Sequence, residues 1–195
     1  MRNFVGVGNG VGSTVKQGLK HLAVIALLLP AYLSLVKAAQ ADSIDSNVTK
    51  KHVIYLVRHA EKLKDVKDPA LTECGLQRAD ALAKQLSAIN FTKIYSTNYQ
   101  RTIATAAPLA AQSNNTISYY DPGKLEPFAQ QLKQQQGVSL IAGHSNTTAV
   151  LAGLLVQQPL TSFDESIYDR LYQVVLINGH ASLQLLMQNF DCKPA

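Results

Sequence analysis

Two histidines and two arginines in this chain stand at or just beyond the ends of short apolar runs. Arg58-His59 closes the run Val53-Ile54-Tyr55-Leu56-Val57. His144 follows Ile141-Ala142-Gly143, and Arg101 lies in Tyr95-Ser96-Thr97-Asn98-Tyr99-Gln100-Arg101-Thr102. Phosphoryl transfer needs positioning and charge stabilisation more than covalent help from the protein. A guanidinium offers a planar fork of donors that matches phosphoryl oxygens. A neutral imidazole can attack phosphorus and hold a covalent intermediate, splitting one hard displacement into two easier ones. The four side chains therefore suit gripping a phosphoryl group and accepting it on nitrogen, provided the fold brings them together.

The surrounding elements predict that it does. Val53–Val57 is apolar, β-branched and too short for a helix, and reads as a buried parallel strand. A charged loop over residues 60–70 leads to a helix from Thr72 to about Ala88, with Leu76, Ala79, Leu82, Ala83 and Leu86 on one stripe. Lys93–Ser96 reads as a strand, and Tyr99–Ala111 as a helix that Pro108 should kink or stop early. Ile117–Tyr120 reads as a strand, Leu125–Gln135 as a helix ending before Gly137, Val138–Ala142 as a buried strand, and Thr147–Val156 as a helix. Leu171–Ile177 and Ser182–Met187 read as a hairpin turning at Asn178-Gly179. This alternation predicts an α/β three-layer sandwich: a mostly parallel central sheet, helices on both faces and an antiparallel edge hairpin. Ligands of such sheets sit beyond the carboxyl ends of the strands. Arg58-His59, Thr97-Asn98 and Gly143-His144 all occupy such ends.

The chain has 195 residues and a formal net charge of +5. Residues 1–41 carry four cations and no Asp or Glu, an apolar core from Leu22 to Leu35, and Ala39-Gln40-Ala41 before Asp42. This order reads as a secretory signal peptide. The apolar core is shorter than the ~20 residues of a membrane span and contains Pro30, so no stable span should remain after cleavage. Removing the four cations lowers the net charge from +5 to +1, which removes the argument for nucleic-acid binding. Residues 42–195 fit a single domain, and a domain of that size buries roughly 70% of its unfolded surface. Export would place Cys74 and Cys192 in a disulfide-permissive compartment, although spacing leaves their pairing open. The alternating Gly6, Gly8, Gly10 and Gly12 follow no strand, so they do not make a dinucleotide loop.

Three segments carry a family resemblance. Leu56-Val57-Arg58-His59-Ala60-Glu61, Ser96-Thr97-Asn98-Tyr99-Gln100-Arg101-Thr102-Ile103-Ala104-Thr105-Ala106 and Gly143-His144-Ser145-Asn146 resemble the histidine phosphatase superfamily. Within it they are similar to branch 1, with phosphoglycerate mutases and small phosphohistidine phosphatases. Asp68-Pro69-Ala70-Leu71-Thr72-Glu73-Cys74-Gly75 resembles a further stretch of that family. The resemblance spans roughly residues 52–188 and implies a phosphoglycerate mutase-like fold and a metal-independent hydrolase without cofactor. It implies His59 as the nucleophile, with Arg58, Arg101 and His144 completing the phosphate pocket. Asn98, Ser145, Asn146 and Glu61 would contact substrate or support the rim.

The general acid is open among three residues. Asp121, at a strand end, is the first candidate for the catalytic acid, Glu126 the second and Glu61 the third; Asp121 before Pro122 equally suits an Asx turn. A poorly supplied acid would favour good leaving groups, such as phosphoramidates and aryl phosphates. Export points to a small phosphorylated substrate, for example an envelope sugar phosphate, in the periplasm or outside the cell. The rival reading is a non-catalytic phospho-ligand binding module on the same fold. A metal centre on His59 and His144 is disfavoured, because zinc wants three or four ligands and the flanking arginines repel a cation.

Overall fold

A computed structural model describes residues 49–64 and 67–192. The signal-peptide segment and the early glycine run lie outside these residues. Six strands form one sheet: β1 (Lys51–Arg58), β2 (Lys93–Ser96), β3 (Ile117–Tyr119), β4 (Gly137–Gly143), β5 (Arg170–Ile177) and β6 (His180–Met187). Four helices accompany them: α1 (Glu73–Gln85), α2 (Gln100–Gln112), α3 (Leu125–Lys133) and α4 (Thr148–Val156). The strand order is β3-β2-β4-β1-β5-β6. The β3-β2, β2-β4 and β4-β1 pairs are parallel, and β1-β5 and β5-β6 are antiparallel. The mostly parallel sheet with an antiparallel edge hairpin is thus observed.

Alternation along the central strands builds two cores. Ile54 and Leu56 of β1 and Ile141 of β4 face one side, where Phe128 and Leu132 of α3 and Leu151 and Leu155 of α4 cover them. Tyr55 and Val57 of β1 and Leu140 and Ala142 of β4 face the other, against Leu82 of α1 and Ala106 and Leu109 of α2. The side-chain period of two in a strand sends neighbours to opposite faces, so a strand buried on both sides reads as a continuous apolar run. No helix among the described residues is long and apolar enough to cross a membrane.

Two expectations are corrected. Leu76, assigned to the buried stripe of the first helix, is 46% exposed. The buried face runs instead through Gly75, Arg78, Ala79, Leu82 and Ala83. Gly75 takes the inward position because a Cβ there would collide with the Glu61 carbonyl oxygen. Pro108 does not shorten the second helix, which continues to Gln112. Pro108 removes one backbone donor, but Leu109 and Ala110 are buried in the core and hold the final turn. The Ser113 hydroxyl then donates to the Leu109 carbonyl at 2.7 Å. The hairpin turns where expected, with positive φ at both Asn178 (49°) and Gly179 (85°), as a two-residue primed turn requires.

Candidate active site

The carboxyl ends of β1, β2 and β4 lie side by side. Arg58 is opposite Gly143 and Ser96 opposite Ala142 in the parallel register. The ladder runs one step further, with the His59 amide donating to the Gly143 carbonyl at 2.9 Å. His59 and His144 thus leave adjacent strands together, and their ring centroids stand 5.6 Å apart. Gly143 between them has no room for a side chain, since a Cβ would come within 2.7 Å of the Tyr120 hydroxyl. The Thr147 hydroxyl accepts from the His144 amide at 3.0 Å and fixes the turn into α4.

Hydrogen bonds set both tautomers. His59 Nδ1 lies 2.8 Å from the Ala60 carbonyl oxygen, which can only accept. The proton therefore sits on Nδ1, and Nε2 carries a free lone pair. Arg101 Nη2 donates to His144 Nδ1 at 3.4 Å, so the His144 proton sits on Nε2, which donates to Thr97 Oγ1 at 2.9 Å. Thr97 Oγ1 in turn lies 2.9 Å from Thr102 Oγ1, whose own bonds reach the carbonyls of Thr97 and Tyr99.

Charge is concentrated around these rings. Burial, then Arg58, His144 and Arg101, push His59 down to about 3, with its Ala60 bond opposing. Burial, then Arg101 and Arg58, push His144 down to about 4. Both rings are neutral at physiological pH. In an NMR titration of the ligand-free protein, they are expected to keep neutral-imidazole shifts down to about pH 5. A ring titrating near 6.5 would show that water and counterions reach it freely. Burial also lowers His52, which lies under the sheet between Leu132 O and Ser139 Oγ. Because all three values fall below the unfolded value, the unfolded chain binds more protons in the window between. Stability is therefore full above about pH 6.5 and is lost as pH falls toward the folded values.

Each arginine is held by some of its nitrogens and leaves its Nε without a partner. Arg58 is buried; its Nη1 donates to the Glu165 carbonyl and, at 3.1 Å, to the Ile167 carbonyl, and its guanidinium stacks 4.2 Å from the Tyr168 ring centroid. Arg101 lies over Tyr99 and 3.4 Å from the Asp68 carboxylate. That carboxylate also accepts from the Gln100 amide at the start of α2. The Nε atoms of both Arg58 and Arg101 are buried without a partner. A buried unpaired donor costs about 1–3 kcal/mol, and a bound anion would remove that cost.

A cavity of about 540 Å³ opens over these groups, lined by His59, Arg101, His144, Ser145, Asn146 and Glu165 among others. Arg58 lies beside His59, buried behind its loop contacts. The other sequence candidates are placed elsewhere. Asn98 is exposed and outside the cavity lining. The Glu61 carboxylate is engaged by Arg78, with Nε at 3.0 and 2.9 Å and Nη2 at 2.7 Å. It therefore braces the loop after His59 instead of facing the cavity. The structure does not bring Asp121 to the cavity either: its exposed carboxylate accepts from the Gly123 amide at 2.8 Å and pairs with Lys124 at 3.9 Å. This is the Asx turn that Pro122 suggested, and it points Pro122 and Gly123, not Asp121, at the cavity. Glu126 is exposed on α3 and also outside the lining. Sequence reasoning placed Thr97 at a strand end and gave neither it nor Asp68 a role of its own, and it missed Glu165. Asp68 was within a family-like stretch; Glu165 sits in a loop with no periodic signal.

Comparison with known proteins bears on the family and the fold. The sequence model of the histidine phosphatase superfamily (branch 1) matches residues 54–122, so the resemblance carried by the motifs is borne out. No curated protein matches the chain in sequence. Among solved structures, a mycobacterial glucosyl-3-phosphoglycerate phosphatase is similar over 73% of this chain and 100% of its own, at 14% identity and a TM-score of 0.57. The protein histidine phosphatase SixA, in complex with tungstate, covers 70% of this chain and 96% of its own at 16% identity and a TM-score of 0.56. A phosphoglycerate mutase from Bacillus anthracis covers 71% and 93%, at 15% identity and a TM-score of 0.51. At such identities the likeness establishes the fold, which is phosphoglycerate mutase-like.

Proposed function

We propose, from the histidine phosphatase match and this site, that the chain is an exported, metal-independent phosphatase. It would hydrolyse phosphomonoesters or phosphoramidates through a phosphohistidine on His59. The observation that carries this reading is the neutral His59, with Nε2 unprotonated, set beside two arginines whose buried Nε donors lack partners. The family match and phosphatase neighbours support a phosphatase.

The roles follow from the tautomers. His59 Nε2 attacks phosphorus while Arg58 and Arg101 take the phosphoryl oxygens. Ser145 and Asn146 line the rim, and Asn98 would have to turn inward to contribute. His144 Nδ1 accepts in the free site. To donate to a phosphoryl oxygen it must gain a proton, which the charge of a bound dianion favours. Water then attacks the phosphohistidine and returns His59 to its neutral form. Export rests on the pattern of residues 1–41, and the disulfide between Cys74 and Cys192 supports an oxidising compartment. An envelope sugar phosphate in the periplasm fits that compartment and the cavity volume.

The test is hydrolysis of p-nitrophenyl phosphate by the full chain in EDTA. Turnover is expected. A folded chain that binds phosphate without turnover would favour a binding module, and turnover abolished by the chelator would overturn metal independence.

A further inference from the structure

Expelling an alkoxide from phosphorus requires a proton at the leaving oxygen, and the groups named so far do not supply it. Both arginines keep their protons. His59 is the nucleophile; His144 Nε2 donates to Thr97, and a proton gained on Nδ1 is directed to a phosphoryl oxygen. Three nearby carboxylates are committed elsewhere: Glu61 to Arg78, Asp68 to Arg101 and the start of α2, and Asp121 to its own turn. Glu165 differs. It lines the cavity with His59 and His144, and its carboxylate makes no hydrogen bond or ion pair among the described residues.

The loop that carries Glu165 is fastened to the catalytic groups themselves. The Phe163 amide donates to the Ser145 carbonyl at 3.2 Å, tying the loop to the β4–α4 turn. Asp164 accepts from the Ser166 amide at 2.7 Å and its hydroxyl at 2.5 Å, which folds the backbone sharply at Glu165. Arg58 Nη1 then holds the carbonyls of Glu165 and Ile167. The Glu165 charge is close enough to oppose the effect of burial on Arg58. One guanidinium thus anchors this loop through Nη1 while its Nε remains free for an anion.

We infer that Glu165 is the general acid of the first half-reaction, and that the substrates are alkyl phosphomonoesters whose leaving group is an alcohol. This rests on the phosphatase reading of the site. As the bond from His59 Nε2 to phosphorus forms and the bond from phosphorus to the ester oxygen breaks, the Glu165 carboxyl gives its proton to that oxygen and the alcohol departs. The resulting carboxylate takes a proton from the attacking water as the P–N bond breaks. Inorganic phosphate leaves, and Glu165 is again protonated.

The test compares ethyl phosphate with p-nitrophenyl phosphate, using the full chain and its Glu165→Gln variant. Nitrophenolate leaves without help, so general-acid removal should spare it. The expected result is a loss of about 10²–10⁴ in kcat/KM on ethyl phosphate, with the aryl ester within a few-fold. Glu165→Asp should restore part of the ethyl phosphate rate. Equal loss on both esters, or loss on neither, would overturn the acid role. Wild-type turnover of the aryl ester alone would overturn the substrate class, and a wild type inert on both would remove the phosphatase reading itself.

Discussion

Replacing His59 with alanine is expected to lower p-nitrophenyl phosphate turnover by roughly 10³–10⁶, the scale on which a covalent nucleophile contributes. Turnover should depend on one lone pair. The Ala60 carbonyl holds the Nδ1 proton, so Nε2 is the nitrogen left to attack. Burial and the neighbouring cations keep that nitrogen unprotonated. Alanine leaves the arginines and His144 in place, so phosphate should still bind. Rapid quenching into alkali, where a P–N bond survives, should trap labelled phosphate on the wild type and none on the variant. Turnover that persists in His59→Ala would sink the mechanism.

Reduction of the Cys74–Cys192 bridge should have the largest effect on stability. The bridge joins α1 to the C-terminal segment across 118 residues, with the Cα atoms 5.7 Å apart. In the chain-entropy account, closing a ring of that size is worth about 4–5 kcal/mol, and removing native bridges costs about 2–5 kcal/mol. A Cys192→Ser variant should therefore melt on the order of 10 °C lower. Local contacts add to the argument. Arg78 Nη1 donates to the Phe190 carbonyl at 3.1 Å and stacks 5.1 Å from the Phe190 ring, and Cys192 Sγ lies 3.2 Å from Glu61. Losing the bridge frees the tail that covers the Glu61–Arg78 pair. Unchanged melting under reductant would show that packing alone holds the tail.

The fold and the grouping of His59, Arg58 and His144 were legible because they obey local rules. A continuous apolar run, a helical stripe or an Asn-Gly pair announces its element, and His59, Arg58 and His144 follow such runs directly. The surroundings of the acidic residues were not legible, because they depend on tertiary contacts. Asp121 reads equally as a strand-end catalyst or a turn former, and only the Gly123 amide decides. Glu165 lies in a loop whose course is fixed by Arg58, 107 residues earlier in the chain, and by the Ser145 carbonyl. Glu61 looked free beside the catalytic histidine because nothing in sequence pairs it with Arg78. Leu76 misled for a related reason: spacing put it inward, but the close approach of Glu61 demanded glycine next door.

The strand order also sets a timetable. β1 leads into His59 and appears first, yet its partners on the two sides are β4 and β5. Val57 finds Ala142 on one side and Leu171 on the other. Until residues 137–143 are available the first strand has no partner, and until residues near 170 arrive it is paired on one side alone. Non-local pairing of this kind is slow to form. A sheet that closes only once the far half of the chain arrives brings His59 beside His144, and Cys74 beside Cys192, late in synthesis.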